Sequence, residues 1–265
     1  MDMIKVGDID MRYEITGEGP PLVMIMGFTA NIHAWPPELI EELGTTFRLF
    51  LFDNRGAGKS TAGQARFSMK QFAKDTAGLM DALGIERTHI LGVSMGGMIA
   101  QQFALDFPEK VDRLVLLCTA PGGPHAKPPS PLVFRKLIDF RGTPEERARR
   151  SMDILFPEDF IRENPERIET MVENMTMEPI LPRNARRQIG AIVGFNAWNR
   201  LPSIQKETLV MCGEKDVLIP PRNSRLITER VPRARMVSYP NSGHGFIHQY
   251  SHKVAREIEE FYSAP

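Results

Sequence analysis

Thr88-His89-Ile90-Leu91-Gly92-Val93-Ser94-Met95-Gly96-Gly97-Met98-Ile99-Ala100 is the stretch that organises the rest of the chain. Its first half is an apolar run of strand character, and its second half opens a helical run lasting to about Phe107. Between them, Gly92-Val93-Ser94-Met95-Gly96 fits the pattern G-x-S-x-G. A serine held at a sharp strand-to-helix turn has a strained backbone, and the residues two before and two after it come too close for side chains. Glycine at both places lets the turn close. The strain then presents the Ser94 hydroxyl above the sheet, with the N-terminus of the new helix behind it. Five residues of pattern recur by chance; the strand before and the helix after supply the context that gives the pattern meaning.

The whole chain sets wide bounds. Its 265 residues can bury a large core, as one sizeable domain or as a core with an insertion. Lys and Arg number 33, and so do Asp and Glu, so no net charge favours nucleic acid or an anionic membrane as a partner. No apolar run approaches the length of a membrane span. Met1-Asp2-Met3-Ile4-Lys5 lacks the shape of a signal peptide, which makes the cytoplasm the expected compartment. The two cysteines, Cys118 and Cys212, each end an apolar strand-like run and read as buried free thiols. No Cys/His cluster has metal-ligand spacing, so no metal is expected.

With its strand, elbow serine and helix, the chain resembles the α/β-hydrolase superfamily. The likeness is closest to the group of small carboxylesterases, enol-lactonases and non-haem haloperoxidases. It implies an α/β fold: a mostly parallel sheet of eight strands, helices on both faces, and an inserted helical cap. The order of elements agrees. Residues 3–15 read as two strands turning at Gly7-Asp8; Leu22–Met26, Phe47–Phe52, Arg113–Cys118, Thr208–Cys212 and Ala234–Tyr239 are short apolar runs suited to strands covered on both faces. Helices are expected over Ala34–Leu43, Ser68–Leu83, Pro221–Arg230 and Ser251–Phe261. From Pro121-Gly122-Gly123-Pro124 to about Arg200 the alternation breaks, and only proline-bounded helical pieces appear: Leu132–Phe140, Pro144–Leu155, Pro165–Met175 and Pro182–Trp198. The expected division is therefore a core of residues 1–121 and 201–265 with a cap of residues 122–200. The cap is expected to set substrate choice and to contribute little to the chemistry. Its Arg and Glu runs read as solvated helix faces, and Met171, Met175 and Met177 as packing, with an adaptable lining of a substrate cavity as the lesser reading.

Asp53-Asn54-Arg55-Gly56-Ala57-Gly58-Lys59-Ser60 admits two readings. Gly58-Lys59-Ser60 looks like the tail of a phosphate-binding loop, but Asp53 stands where that loop needs a glycine. The family instead carries D-x-R-G-x-G-x-S here, and every fixed position is met. The resemblance makes this a structural turn, with Asp53 and Arg55 expected as a local ion pair. Nucleotide binding is the weaker alternative.

Serine is a poor nucleophile without a base, histidine has a suitable pKa, and a carboxylate fixes the histidine's tautomer. In this family the chain order is Ser, acid, His. Ser94, Asp216 and His244 follow it, each in a loop after an expected strand. Of the six histidines, only His244 stands between glycines after the final strand; His33, His89, His125, His248 and His252 lie elsewhere. Glu214 is the competing acid, but the family match in Gly213-Glu214-Lys215-Asp216 falls on Asp216. The resemblance assigns the backbone amides of Phe28 and Met95 as oxyanion donors, with Met26 where the family usually has a histidine; a plain strand-end turn is the alternative for Met26-Gly27-Phe28. Gly27, Phe28, Trp35, Met95 and Met98 are expected near an apolar pocket. The implied activity is hydrolysis of a small-molecule ester or lactone without a cofactor, by a monomer or homodimer that engages neither nucleic acid nor membrane. C–C bond hydrolysis or perhydrolysis would use the same residues. A non-catalytic receptor on this fold is the competing class, and the intact Ser-Asp-His set argues against it.

Overall fold

The structure is a computed structural model describing residues 2–263; residues 1, 264 and 265, which the expected core segments include, lie outside the described residues. Strand β1 (Asp2–Val6) turns at Gly7 into β2 (Ile9–Thr16), and the hairpin leads into β3 (Pro21–Ile25). A 3₁₀ turn at Ile32–Ala34 precedes helix α1 (Pro37–Gly44), which packs beside β4 (Arg48–Phe52). Helix α2 (Met69–Ala82) begins at Ser68, whose hydroxyl accepts the Gln71 amide at 3.1 Å, and gives way to Gly84 at φ +69. Then come β5 (Thr88–Val93), α3 (Met95–Asp106) and β6 (Val111–Leu117).

Five helices follow without an intervening strand: α4 (Pro131–Leu137), α5 (Pro144–Leu155), α6 (Glu158–Glu163), α7 (Pro165–Thr176) and α8 (Pro182–Val193). Prolines open four of them, where a missing N–H leaves nothing unsatisfied. The alternation resumes with β7 (Thr208–Gly213), α9 (Arg222–Arg230), β8 (Ala234–Tyr239), a one-turn α10 (Phe246–Gln249) and α11 (Ser251–Ser263). Two short helices escape the sequence reading. Helix α6 has only six residues between Pro157 and Pro165, and α10 only four, too few to show a period.

The eight strands form one sheet in the order β1-β2-β4-β3-β5-β6-β7-β8. Strand β2 runs antiparallel to both neighbours, and every pairing from β4 to β8 is parallel. Successive side chains of one strand enter opposite layers. Leu22 and Met24 pack with Leu39 and Leu43 of α1 and Ile258 of α11, whereas Val23 and Ile25 pack with Phe72 of α2 and Phe103 of α3. Both layers are apolar, which is why these strands read as continuous hydrophobic runs.

Parallel strands end at one edge, so the loops after β3, β5, β7 and β8 gather there. The helical excursion leaves and returns at a narrow neck. Gly122 bridges Asn196, the Gly123 amide donates to the Phe195 carbonyl at 3.0 Å, and Ala197 donates to Pro121 at 2.9 Å. Beyond the neck, α5 and α7 share a small core of their own, built on Met152, Phe156, Ile168, Met171 and Val172.

Candidate active site

The turn between β5 and α3 shows why its glycines are needed. A Cβ on Gly92 would run into the Gly96 carbonyl, and one on Gly96 into the Ile25 carbonyl of β3. Ser94 takes φ 57 and ψ −117, a conformation that costs about 1–3 kcal/mol outside glycine. Its backbone is tied down on both sides: the Ser94 amide donates to Leu117 at 2.8 Å, and the Thr119 hydroxyl donates to the Ser94 carbonyl at 2.7 Å. Between Ile90 and Ala104 every residue except Ser94 is buried. The strained turn therefore pushes one hydroxyl out of an otherwise sealed strand and helix.

Asp216 sits in the loop after β7, held by the turn itself. Its Oδ1 accepts the amides of Leu218 and Ile219, each at 2.8 Å, and its Oδ2 faces His244 Nδ1 at 2.7 Å. His244 is carried by the loop after β8. That loop is bound to the Asp216 loop through Lys215 N to Ser242 O at 2.8 Å and Glu214 N to Tyr239 O at 3.0 Å. Both side chains are buried. Burial opposes a charge on the imidazole, but the adjacent Asp216 carboxylate outweighs it and holds His244 well above its ordinary range. Glu214 is exposed and accepts the Ser238 hydroxyl at 2.7 Å. Ser94 and His244 open into the same cavity, of about 960 Å³.

Gly27 backs the serine: a Cβ there would stand 3.1 Å from Ser94 Cβ and 3.7 Å from Ser94 Oγ. The neighbouring loop is braced by groups the sequence reading did not find. Asn54 Nδ2 donates to the Met26 carbonyl at 2.8 Å. Gln188 of α8 accepts the Thr29 amide at 2.9 Å. These side chains provide polar support in a loop where Met26 replaces the expected histidine. Met95 is the first residue of α3, so its amide has no acceptor within the helix. Phe28, Met95 and Met98 line the cavity.

Two expectations need correction. Trp35 does not line the cavity; it is buried in the layer with Leu39 and Phe246, because the 3₁₀ turn and Pro36-Pro37 direct it under the sheet edge toward α1 and α10. Asp53 and Arg55 do not pair. Arg55 makes a two-pronged contact with Asp75 of α2, Nε to Oδ2 at 2.7 Å and Nη2 to Oδ1 at 2.6 Å, and a third with Asp8 at 2.7 Å. Asp75 meets the guanidinium fork with both oxygens, whereas the oxygens of Asp53 are already taken by backbone amides. Asp53 instead accepts the amides of Ile32 at 2.8 Å and Lys59 at 2.9 Å, and burial pushes its carboxyl up. The turn is thus a structural brace between the hairpin, α2 and the loop after β3.

The cavity's far wall comes from the helical excursion, including Met152, Phe156, Met171, Met175, Ile192 and Phe195. His248 also reaches it; burial, reinforced by Arg167, pushes that imidazole down to about 4, so it is neutral at pH 7. His89 packs on Tyr262 with ring centres 4.1 Å apart, in the layer between β5 and α11. No helix among the described residues is long and apolar enough to cross a membrane.

A family model described as the alpha/beta hydrolase fold matches residues 20–249. The chain belongs to the α/β-hydrolase family. A relative from Azorhizobium caulinodans, bearing the name carbamate hydrolase RutD, is 30% identical over 242 residues, which cover 91% of this chain and 90% of that protein. The enol-lactonase structure from Burkholderia xenovorans superposes with a TM-score of 0.87 at 22% identity, covering 99% of this chain and 100% of the other; that likeness is one of fold. An esterase from Thermogutta terrifontis superposes with a TM-score of 0.85 at 26% identity, covering 99% of this chain and 98% of the other.

Proposed function

We propose that the protein is a serine hydrolase that cleaves fairly apolar carboxylic esters through an acyl-enzyme on Ser94. The observation that carries the proposal is the 2.7 Å contact between Asp216 Oδ2 and His244 Nδ1, with the half-buried Ser94 opening into the same cavity as His244. A carboxylate on Nδ1 holds the proton there and leaves Nε2 with a lone pair. Nε2 takes the Ser94 proton as Oγ attacks the ester carbonyl. The amides of Phe28 and Met95 receive the developing oxyanion, each such donor contributing about 3–4 kcal/mol of barrier. The imidazolium then protonates the leaving alcohol. Water, deprotonated by the same nitrogen, releases the acid and regenerates Ser94. Every step uses groups of this chain, and none needs a metal or an organic cofactor.

Helices α4–α8 act in this reading as a cap that sets substrate choice. Its Met and Phe side chains, with a neutral His248, make an apolar wall suited to an apolar acyl or alcohol group. Carbamate hydrolysis is the second reading. It is favoured by the name of the 30% identical relative and needs the same acyl-transfer machinery. A cavity of about 960 Å³ is far larger than a simple carbamate fills, which ranks the bulkier ester first. Turnover of p-nitrophenyl acetate, butyrate and octanoate, beside carbamate hydrolysis followed as ammonia release, tests the ranking. Ester turnover that rises with acyl length and disappears in Ser94→Ala supports the first reading. Carbamate turnover alone supports the second. No serine-dependent turnover of either defeats both.

A further inference from the structure

The loop after β3 is held in an unusual way. Thr29 takes φ 61, in the left-handed region that a β-branched residue seldom enters. Both polar ends of the peptide unit joining Phe28 to Thr29 are tied. The Thr29 hydroxyl donates to the Phe28 carbonyl at 2.7 Å, and the Thr29 amide donates to Gln188 Oε1 at 2.9 Å. On the other side, Asn54 holds the Met26 carbonyl at 2.8 Å. The peptide unit between them, carrying the Phe28 N–H, is clamped by its neighbours while its own donor has no acceptor among the described residues.

Gln188 is 159 residues away in sequence and completely buried. Its Nε2 has no hydrogen-bond partner among the described residues, and it does not line the cavity. A buried amide left half-satisfied is costly, so packing alone accounts poorly for a glutamine at this place. Helix α8 is itself anchored to the core. One turn before Gln188, Asn184 Nδ2 donates to the Gly56 carbonyl at 3.0 Å; Arg187 donates to Ala65 at 3.0 Å and lies over the Phe67 ring at 3.8 Å. These contacts hold Gln188 Oε1 in register with the loop.

We infer that Gln188 is a positioning residue for the oxyanion hole: through Thr29 it fixes the Phe28 amide at the angle the transition state requires. The inference rests on the serine-hydrolase reading proposed above. It makes α8 part of the catalytic scaffold. An interaction of this kind acts on the transition state and leaves ground-state binding alone, so its loss lowers kcat and spares KM.

Gln188→Leu fills the same space without an acceptor; Gln188→Met is the alternative apolar variant if leucine does not fold. Gln188→Glu, held in its neutral form by complete burial, keeps a carbonyl oxygen where Oε1 sits and exchanges the unpartnered Nε2 for a hydroxyl. Each is assayed on p-nitrophenyl butyrate beside wild type and Ser94→Ala, with active sites counted by exhaustive phosphonate labelling. The apolar variants are expected to lose about 10- to 100-fold in kcat per titrated site, with KM within about 3-fold; deleting an oxyanion donor outright loses about 10²–10³-fold. Gln188→Glu is expected to stay within about 3-fold of wild type. An apolar variant that folds and keeps wild-type kcat overturns the inference. So does a loss that appears as fewer titratable sites or as raised KM, and so does a Glu variant as impaired as the apolar ones. If wild type and Ser94→Ala are equally inactive, the serine reading itself has failed, and the role of Gln188 falls with it.

Discussion

Replacing Asp216 by asparagine separates the two jobs of its carboxylate. Oδ1 accepts two backbone amides, Leu218 and Ile219 at 2.8 Å each, while Oδ2 accepts from His244 Nδ1 at 2.7 Å. Asparagine has one oxygen for both places. If its NH₂ faced the two amides, two buried donors would lose their acceptor, at about 1–3 kcal/mol each. The oxygen therefore stays with the amides and the NH₂ turns to His244. An NH₂ only donates, so Nδ1 must accept and the ring proton moves to Nε2, which then has no lone pair for Ser94. A preference of about 2–6 kcal/mol leaves between roughly one molecule in 30 and one in 3 × 10⁴ with a competent tautomer. The expected loss in kcat on p-nitrophenyl butyrate is of that size, against a Ser94→Ala background; the same change in other triads costs about 10⁴. Glu214→Gln, altering an exposed side chain bonded to Ser238, is expected to stay within about 3-fold. A variant at 216 that kept more than about a tenth of wild-type turnover, or a larger loss at 214, would refute the reasoning.

Other outcomes follow from the same geometry. Because His244 is held above its ordinary value of 6.5 and acts as a neutral base, kcat/KM is expected to rise with pH through a midpoint above 6.5; a flat profile from about pH 5 to 8 contradicts it. The stability sign is opposite. A raised folded pKa adds stability below the unfolded value and loses it as pH rises through the folded one, so wild type should lose its Tm advantage over His244→Ala across the window in which activity appears. Phe195→Ala and Met175→Ala enlarge the far wall of the cavity and are expected to shift the octanoate-to-acetate ratio while leaving phosphonate labelling of Ser94 intact; unchanged ratios across the wall would remove the cap from substrate choice. Arg55→Met leaves the buried Asp75 without its cation, at about 3–5 kcal/mol, and is expected to lower Tm by about 10 °C; a shift under about 3 °C would show the pair to be dispensable.

The parts of the molecule legible in the sequence are those whose cause is local. Gly92 and Gly96 are dictated by carbonyls that the turn itself brings close, and the strands by apolar runs covered on both faces. The placement of Ser94, Asp216 and His244 at one edge was legible because each follows a strand end of a parallel sheet. What escaped reading depends on chain segments meeting at a distance. Arg55 finds Asp75 on the next helix, 20 residues on, and Gln188 reaches Thr29 from 159 residues away. Trp35 looks like a pocket residue by its nearness to Phe28 in sequence, but a 3₁₀ turn and two prolines redirect it into the core. Helix α8 carries Gln188 among the buried positions Asn184, Ala185 and Ala191, where a period of apolar residues gives no hint that one polar side chain has a specific acceptor role.

The central claim is that Ser94 is the nucleophile, and covalent labelling measures that most directly. Wild-type protein is treated with a p-nitrophenyl alkylphosphonate, the release of p-nitrophenol is counted, and the modified peptide is located by mass spectrometry, with Ser94→Ala carried in parallel. The account predicts one adduct per chain, on Ser94, with ester turnover lost in proportion to labelling, and neither adduct nor turnover in Ser94→Ala. An adduct on another residue, or more than about 1% of turnover surviving in a contamination-controlled Ser94→Ala preparation, would contradict it.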